Sequence, residues 1–360
     1  MEFAAILLLM LPAVVLVGYP VALLCAGAVA QPPRRETGTL PETLSILVCA
    51  HNDAAWIDEK LEAVLAAVAA WPGHAEILVG DISTDDTAVF IERFTHRGVT
   101  LVRDATLARI ALMARGEILV MTDAEALFDR DTLPALLAPF ADPAIGAVAG
   151  AVEARRHGRS RLADTDTLSR RWQTATRTAE DRLFGCTVAD PALYAIRTTL
   201  MPALPADVAA AAFASTAAVA AGRRVAFARD ARVQSHGASP ETRPSATGRD
   251  LAALWRRRAL MNPFATGWYA VALLRALLRP VALLLLPPLW LVSGLLAAEP
   301  LWTLVFATLS IVAALGLLGH RAPLPGLLEP TADGIRRLAE DAAGFVHFAC
   351  GRHARRDPDA

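Results

Sequence analysis

The chain has 360 residues, 54% of them hydrophobic and 20% charged, with 35 basic against 36 acidic side chains for a formal charge of −1. That apolar share exceeds the ~45–50% of a soluble globular domain, so part of the chain belongs in lipid; the balanced charge excludes the basic footprint that nucleic-acid binding requires. Four widely spaced cysteines, Cys25, Cys49, Cys186 and Cys350, suggest neither a disulfide framework nor a zinc site, and the single lysine, Lys60, reads as compositional bias in an arginine- and alanine-rich chain.

In chain order, the first element is an uncharged run of 28 residues from Phe3 to Ala30, with Pro12 and Pro20 as possible kinks. It exceeds the ~20 apolar residues that cross a bilayer. The rival reading is a cleaved signal peptide, since Ala28-Val29-Ala30 resembles a cleavage site, but Glu2 stands where a positive leading region belongs.

A soluble stretch follows in which strand and helix signals alternate. Leu44 to Ala50 is an apolar run with β-branched members, and from Ala55 to Trp71 the residues Ile57, Leu61, Val64, Leu65 and Val68 recur at helical spacing until Pro72-Gly73. Ala75 to Val79 repeats the strand signal. Asp81 to Asp86 offers turn and cap residues before a helix carrying Val89, Phe90 and Phe94, which Gly98 ends; Asp85 and Asp86 read as caps of that helix. A strand at Val99 to Val102, a helix to Arg115 and a strand from Ile118 to Met121 complete the series. The repeat predicts a mostly parallel, doubly wound α/β sheet, whose ligands bind beyond the carboxyl ends of the strands. The polar residues fall at those ends: Asn52 and Asp53, then Asp81, then Arg103, then Asp123 with Glu125. His157, His236, His347 and His353 show no ligand spacing and read as surface residues.

Pro280 to Ala298 and Pro300 to Gly319 are uncharged stretches of 19 and 20 residues separated by Glu299, and they read as a transmembrane hairpin. Arg34 and Arg35, Arg256 to Arg258, Arg275 and Arg279, and Arg321, Arg336 and Arg337 flank the spans on one side, which the distribution of positive charge assigns to the cytoplasm. Trp255 with its arginines reads as a helix at the lipid boundary. In the tail, Ile335, Leu338, Ala342, Phe345, Val346 and Cys350 predict an amphipathic helix. The resulting divisions are an N-terminal span over 1–30, a cytosolic domain over 31–250, an interfacial helix over 251–279, the hairpin over 280–321 and a cytosolic tail over 322–360.

Three segments, in order, carry a resemblance. Cys49-Ala50-His51-Asn52-Asp53, Gly80-Asp81-Ile82-Ser83-Thr84-Asp85-Asp86-Thr87, and the stretch from Arg115 ending in Thr122-Asp123-Ala124-Glu125 resemble the motifs of family 2 inverting glycosyltransferases. These have the GT-A nucleotide-diphospho-sugar fold, and the similarity is greatest to bacterial membrane-anchored members. The resemblance implies that Ala50, His51 and Asp53 line the base and ribose pocket, that Asp81 reaches the nucleobase, and that Arg103 holds phosphate in place of the family's lysine. It further implies that Asp123 and Glu125 meet a divalent cation, Mg²⁺ or Mn²⁺, that bridges the diphosphate. Oxygen ligands suit such a cation, and two carboxylates at i and i+2 on a strand end can point to one side.

The acceptor side departs from the family. Its acidic pair before a Phe supplies the general base, and here the pair falls on Ala211-Ala212 before Phe213. Alanine accepts no proton. Asp207 survives upstream, and Asp190 is introduced in Val188-Ala189-Asp190-Pro191-Ala192, where the family has a glycine-rich loop; these two are the candidate catalytic residues. The basic motif before the interfacial helix, Pro240 to Ser245, has lost most of its charge. The resemblance therefore implies an inner-membrane, multi-pass enzyme with a cytoplasmic catalytic domain, moving a sugar from a nucleotide-diphospho-sugar, expected to be uridine-linked, to a lipid-linked or polysaccharide acceptor. The alternative is a non-catalytic relative that binds donor or partner proteins in envelope polysaccharide assembly.

Overall fold

Four parallel strands form the half of the sheet nearest the N-terminus: β1 (Thr43–Ala50), β2 (His74–Asp81), β3 (Val99–Arg103) and β4 (Ile118–Asp123). The computed structural model describes residues 2–33, 36, 38–154, 163–235, 243–321, 343, 345–346 and 348–350. Strands β5 (Ala126–Phe128), β6 (Ile145–Ala154), β7 (Leu193–Arg197) and β8 (Arg224–Ser235) complete an eight-stranded sheet of order β3-β2-β1-β4-β7-β6-β8-β5.

The parallel half matches the sequence reading element by element. Alternate residues of β1 serve opposite faces: Ile46, Val48 and Ala50 pack with Ile57, Leu61 and Val64 of the helix Ile57–Ala70, while Leu47 packs with Leu119, Met121 and Ile110 on the other side. A strand buried on both faces needs apolar residues without alternation, the pattern that β1 and β4 have. The other half is mixed, because β7 runs antiparallel to both β4 and β6, so the sheet is less parallel than the repeat alone predicts.

At the N-terminus a continuous helical run over 2–29 contains a π-helical segment at Ala13–Gly18. Its last part lies on the domain helix Ala163–Leu183. Gly27 comes so near that a Cβ there would fall 2.5 Å from Cβ of Ala179, and Arg182 donates to the Gly27 carbonyl at 3.0 Å. Among the described residues, Ala5–Val29 is the one unbroken helix long and apolar enough to cross a membrane.

The expected hairpin is placed differently. A helix begins at Trp268, runs through Pro280 and ends at Leu284; Leu286–Leu295 follows at a bend of 47°, and the two pass the membrane-length test only together. Pro287 and Pro288 explain the break, since proline lacks an N–H and disfavours helical geometry in the residue before it. The helix Pro300–Arg321 then returns, with Trp290 stacked on Phe306 at 5.5 Å between centroids and Ala5, Leu289 and Trp302 buried together. The expected interfacial helix over 251–279 is also interrupted. The helix Arg243–Arg256 stops short, and Gly267, at φ +57°, redirects the chain into Trp268–Leu284. Arg34, Arg35, His157, His236, Arg336, Arg337, His347 and His353, with Ile335, Leu338 and Ala342 of the expected tail helix, lie outside the described residues; Phe345 and Val346 are helical.

Candidate active site

The carboxyl ends of β1, β2 and β4 meet at one rim. Registers pair Ala50 with Asp81 and Cys49 with Asp123, so all three loops leave the sheet at the same level. Ala50 is buried and its carbonyl accepts from the Ile82 amide at 3.2 Å. Asn52 takes the left-handed conformation, at φ +57°, that asparagine tolerates better than most residues. Its amide donates to Ser83 Oγ at 2.8 Å and its Oδ1 accepts from the Thr84 amide at 2.9 Å, lacing the β1 loop to the β2 loop.

Within this rim Asp53 Oδ2 accepts from the His51 amide at 2.8 Å. Burial raises the Asp53 pKa above the ordinary carboxylate value; the His51 amide opposes this, and the charges of Asp85 and Asp81 add to it. Asp81 is 4% exposed, and its Oδ1 accepts from the Ser83 amide at 3.2 Å. Before it stands Gly80, where the family motif has another aspartate. A Cβ at Gly80 would fall 2.5 Å from the Ala105 carbonyl oxygen, so the passing loop requires glycine. Asp85 caps the next helix through the Thr87 amide at 3.0 Å; Asp86, also expected to cap, makes no side-chain cap hydrogen bond.

Asp123 ends β4, with Glu125 two residues on and half-buried. One side of Asp123 is open to solvent, but the walls around it displace enough water to push its pKa up to about 6. The charges of Asp190, Glu125 and Asp53 act in the same direction, and Lys60 opposes them. Asp190 therefore belongs to this group. Its loop is brought in by the pairing of β7 with β4, and its carboxylate is held by Arg177 at 3.2 Å and by the Ala192 amide at 3.2 Å.

Two expected site residues are committed elsewhere. Arg103 follows β3 at the sheet edge and pairs with Glu92 at 2.7 Å. Asp207 is bonded through both carboxylate oxygens to one guanidinium nitrogen of Arg256, at 2.7 and 2.9 Å. Ala211 and Ala212, in the first turn of the helix Ala210–Ala220, are buried among apolar neighbours.

Lys60 is the residue that sequence reasoning missed. It is fully buried under the β4 rim, where Nζ donates to Thr122 Oγ1 at 2.7 Å and to the Ala126 carbonyl and lies 4.4 Å from the centre of the Phe128 ring. Burial pushes its pKa down to about 7, with Asp123 opposing. The signal was its place on the inward face of its helix, three residues after Ile57 and four before Val64.

Among the described residues no three His, Cys, Asp or Glu side chains converge closely enough to hold an ion by themselves. An all-oxygen set of one or two carboxylates fits a cation that takes its remaining ligands from a diphosphate, which is how Mg²⁺ is usually held. His51 Nδ1 is buried and has no hydrogen-bond partner among the described residues, which fits a neighbouring polar ligand.

Residues 45–196 match the sequence profile described as Glycosyl transferase family 2. The matched segment runs from β1 to the end of β7 but for two residues at the start and one at the end. Its rim residues Asp53, Asp81, Asp123, Glu125 and Asp190 all lie inside the matched segment; Asp207 lies beyond it. A solved structure described as a mannosyltransferase from Pyrobaculum calidifontis in complex with GDP-Man and Mn²⁺ superposes on 97% of this chain and 99% of its own, with a TM-score of 0.72 and 20% identity. That likeness shows the fold, GT-A with its flanking helices. Glucosyl-3-phosphoglycerate synthase from Mycobacterium tuberculosis, in complex with Mn²⁺, UDP and phosphoglyceric acid, overlaps 66% of this chain and 82% of its own, at a TM-score of 0.43 and 19% identity. No curated protein matches the chain.

Proposed function

We propose that this domain transfers a sugar, with inversion, from a nucleotide-diphospho-sugar to a lipid-linked or glycan acceptor at the cytoplasmic face of a bacterial inner membrane. The observation that carries the reading is the set of carboxylates at one rim, Asp53 and Asp81 on the β1 and β2 loops and Asp123, Glu125 and Asp190 around the β4 end. The first pair would take the nucleoside, with Ala50 and His51 beside it, and the second the cation-bound diphosphate. Mn²⁺ or Mg²⁺, when bound, neutralises the departing diphosphate as the anomeric carbon gains positive charge.

Asp190 is the preferred general base. Its charge is felt at Asp123, whereas Asp207 is taken up by Arg256. Arg177 and the Ala192 amide hold the Asp190 carboxylate in one orientation, from which it receives the acceptor hydroxyl proton as that oxygen attacks. The apolar helix Ala5–Val29 and the bent helix pair after Trp268 support a membrane setting and, with it, a lipid-linked acceptor. Arg103, bound to Glu92, is left to reach phosphate only by changing partner.

A second reading has one observation in its favour: the buried Ala211-Ala212 where the family carries acid. In it the protein binds donor without turnover and serves a complex that builds envelope polysaccharide. Assays of the detergent-solubilised chain with UDP- and GDP-sugars and Mn²⁺ or Mg²⁺ separate the two. Sugar transfer or hydrolysis supports the first; saturable donor binding without either supports the second; and absence of binding overturns both.

A further inference from the structure

The lone lysine sits where the carboxylate rim is built. Lys60 Nζ donates to Thr122 Oγ1, the residue before Asp123, and to the Ala126 carbonyl, the residue after Glu125. Its two bonds therefore bracket the turn Asp123-Ala124-Glu125 from beneath. Thr122 extends the connection, since its hydroxyl also lies 2.9 Å from the Ala192 carbonyl in the loop that carries Asp190. One ammonium thus ties the β1 helix, the β4 exit and the β7 loop together inside the protein.

A fully buried ammonium is expensive, and it is retained here beside the Phe128 ring, with Asp123 as a charged group acting on it. A methionine of similar length would fill the same space at less cost. The placement is accounted for by what the ammonium holds.

We propose that Lys60 is a positioning residue for the cation–diphosphate site, clamping both ends of the Asp123–Glu125 turn so that its carboxylates stay on one side. The proposal rests on the donor-site reading above. Groups that orient metal ligands from behind change affinity by roughly 10–100-fold when removed. Lys60→Met should therefore weaken Mn²⁺ binding in the presence of GDP or UDP by at least about 10-fold.

The test is Mn²⁺ titration of the full chain in detergent, with saturating GDP or UDP, followed by the electron paramagnetic resonance of free Mn²⁺, alongside thermal unfolding of the same samples. A folded Lys60→Met with wild-type Mn²⁺ affinity overturns the proposal, because a lysine that only stabilises the fold would lower the melting temperature and leave affinity alone. Where Lys60→Met does not fold, Thr122→Val decides: it removes one arm of the clamp and should weaken Mn²⁺ in the same direction, while Thr122→Ser, which keeps the hydroxyl, should bind as wild type. Equal affinity in Thr122→Val and Thr122→Ser overturns the proposal. Absence of nucleotide-dependent Mn²⁺ binding in the wild type removes the donor-site reading itself, a failure distinct from either of these.

Discussion

Asp207 and Arg256 are locked in a pair in which both carboxylate oxygens face one guanidinium nitrogen. A carboxylate with both oxygens turned to a guanidinium has neither turned to an acceptor hydroxyl. Asp190 is also paired, to Arg177, but it stands close enough to Asp123 for the two charges to interact. Asp190→Asn is therefore expected to lower kcat by about 100-fold or more with donor affinity retained, the usual contribution of a general base. Asp207→Asn should change kcat by less than about 10-fold. Initial rates at saturating donor, with calorimetric donor binding, check both; the opposite ranking would return the role to Asp207.

Cation binding should depend on pH through Asp123. Its carboxyl, pushed up to about 6, must be ionised to ligate, so Mn²⁺ affinity with nucleotide should fall between pH 7 and 5 and lose this dependence in Asp123→Asn. Without the cation the sign for stability is reversed. A pKa raised above the ordinary 3.8 favours folding most at low pH, and the contribution is lost as pH rises through about 6. Flat Mn²⁺ affinity across that interval would exclude Asp123 as a ligand.

Gly80→Ala should destabilise the domain by about 1–3 kcal/mol, because its Cβ meets backbone rather than a movable side chain. The displaced loop would carry Asp81 with it and weaken nucleotide binding. Thermal unfolding and nucleotide titration measure the two effects; an unchanged melting temperature would mean that the Ala105 loop yields freely.

Burial pushes the thiols of Cys49 and Cys186 up to about 12, with nearby carboxylates adding to it, so both stay protonated at neutral pH. Exposed Cys350 should react with a maleimide in the native protein, half-buried Cys49 more slowly, and buried Cys186 only after unfolding. Mass spectrometry of labelled peptides reads the outcome, and equal labelling rates would contradict the burial of Cys186.

Much of the parallel half was legible because its physics is local. The apolar runs of β1 and β4 and the turn residues after β2 each announce their structure within a few positions. Lys60 was obscured by a composition in which arginine replaces lysine almost everywhere, which made its rarity look like bias. The closeness of Asp190 to Asp123 depends on β7 entering the sheet antiparallel to β4, a long-range pairing with no local signature. The bend after Leu284 was readable in Pro287-Pro288 but was hidden by uniform apolarity, which shows where lipid-compatible residues lie and not where helices break.

Gly27, Ala179 and Arg182 leave no slack between the apolar N-terminal helix and the domain. If that helix is seated in a bilayer, as proposed, the rim of carboxylates would be carried at a constant height above the headgroups, unlike an enzyme on a loose leash that can search outward. Acceptors would then be sorted by stature: a hydroxyl is served when its own carrier lifts it to that level, and a shorter or longer carrier presents it out of reach.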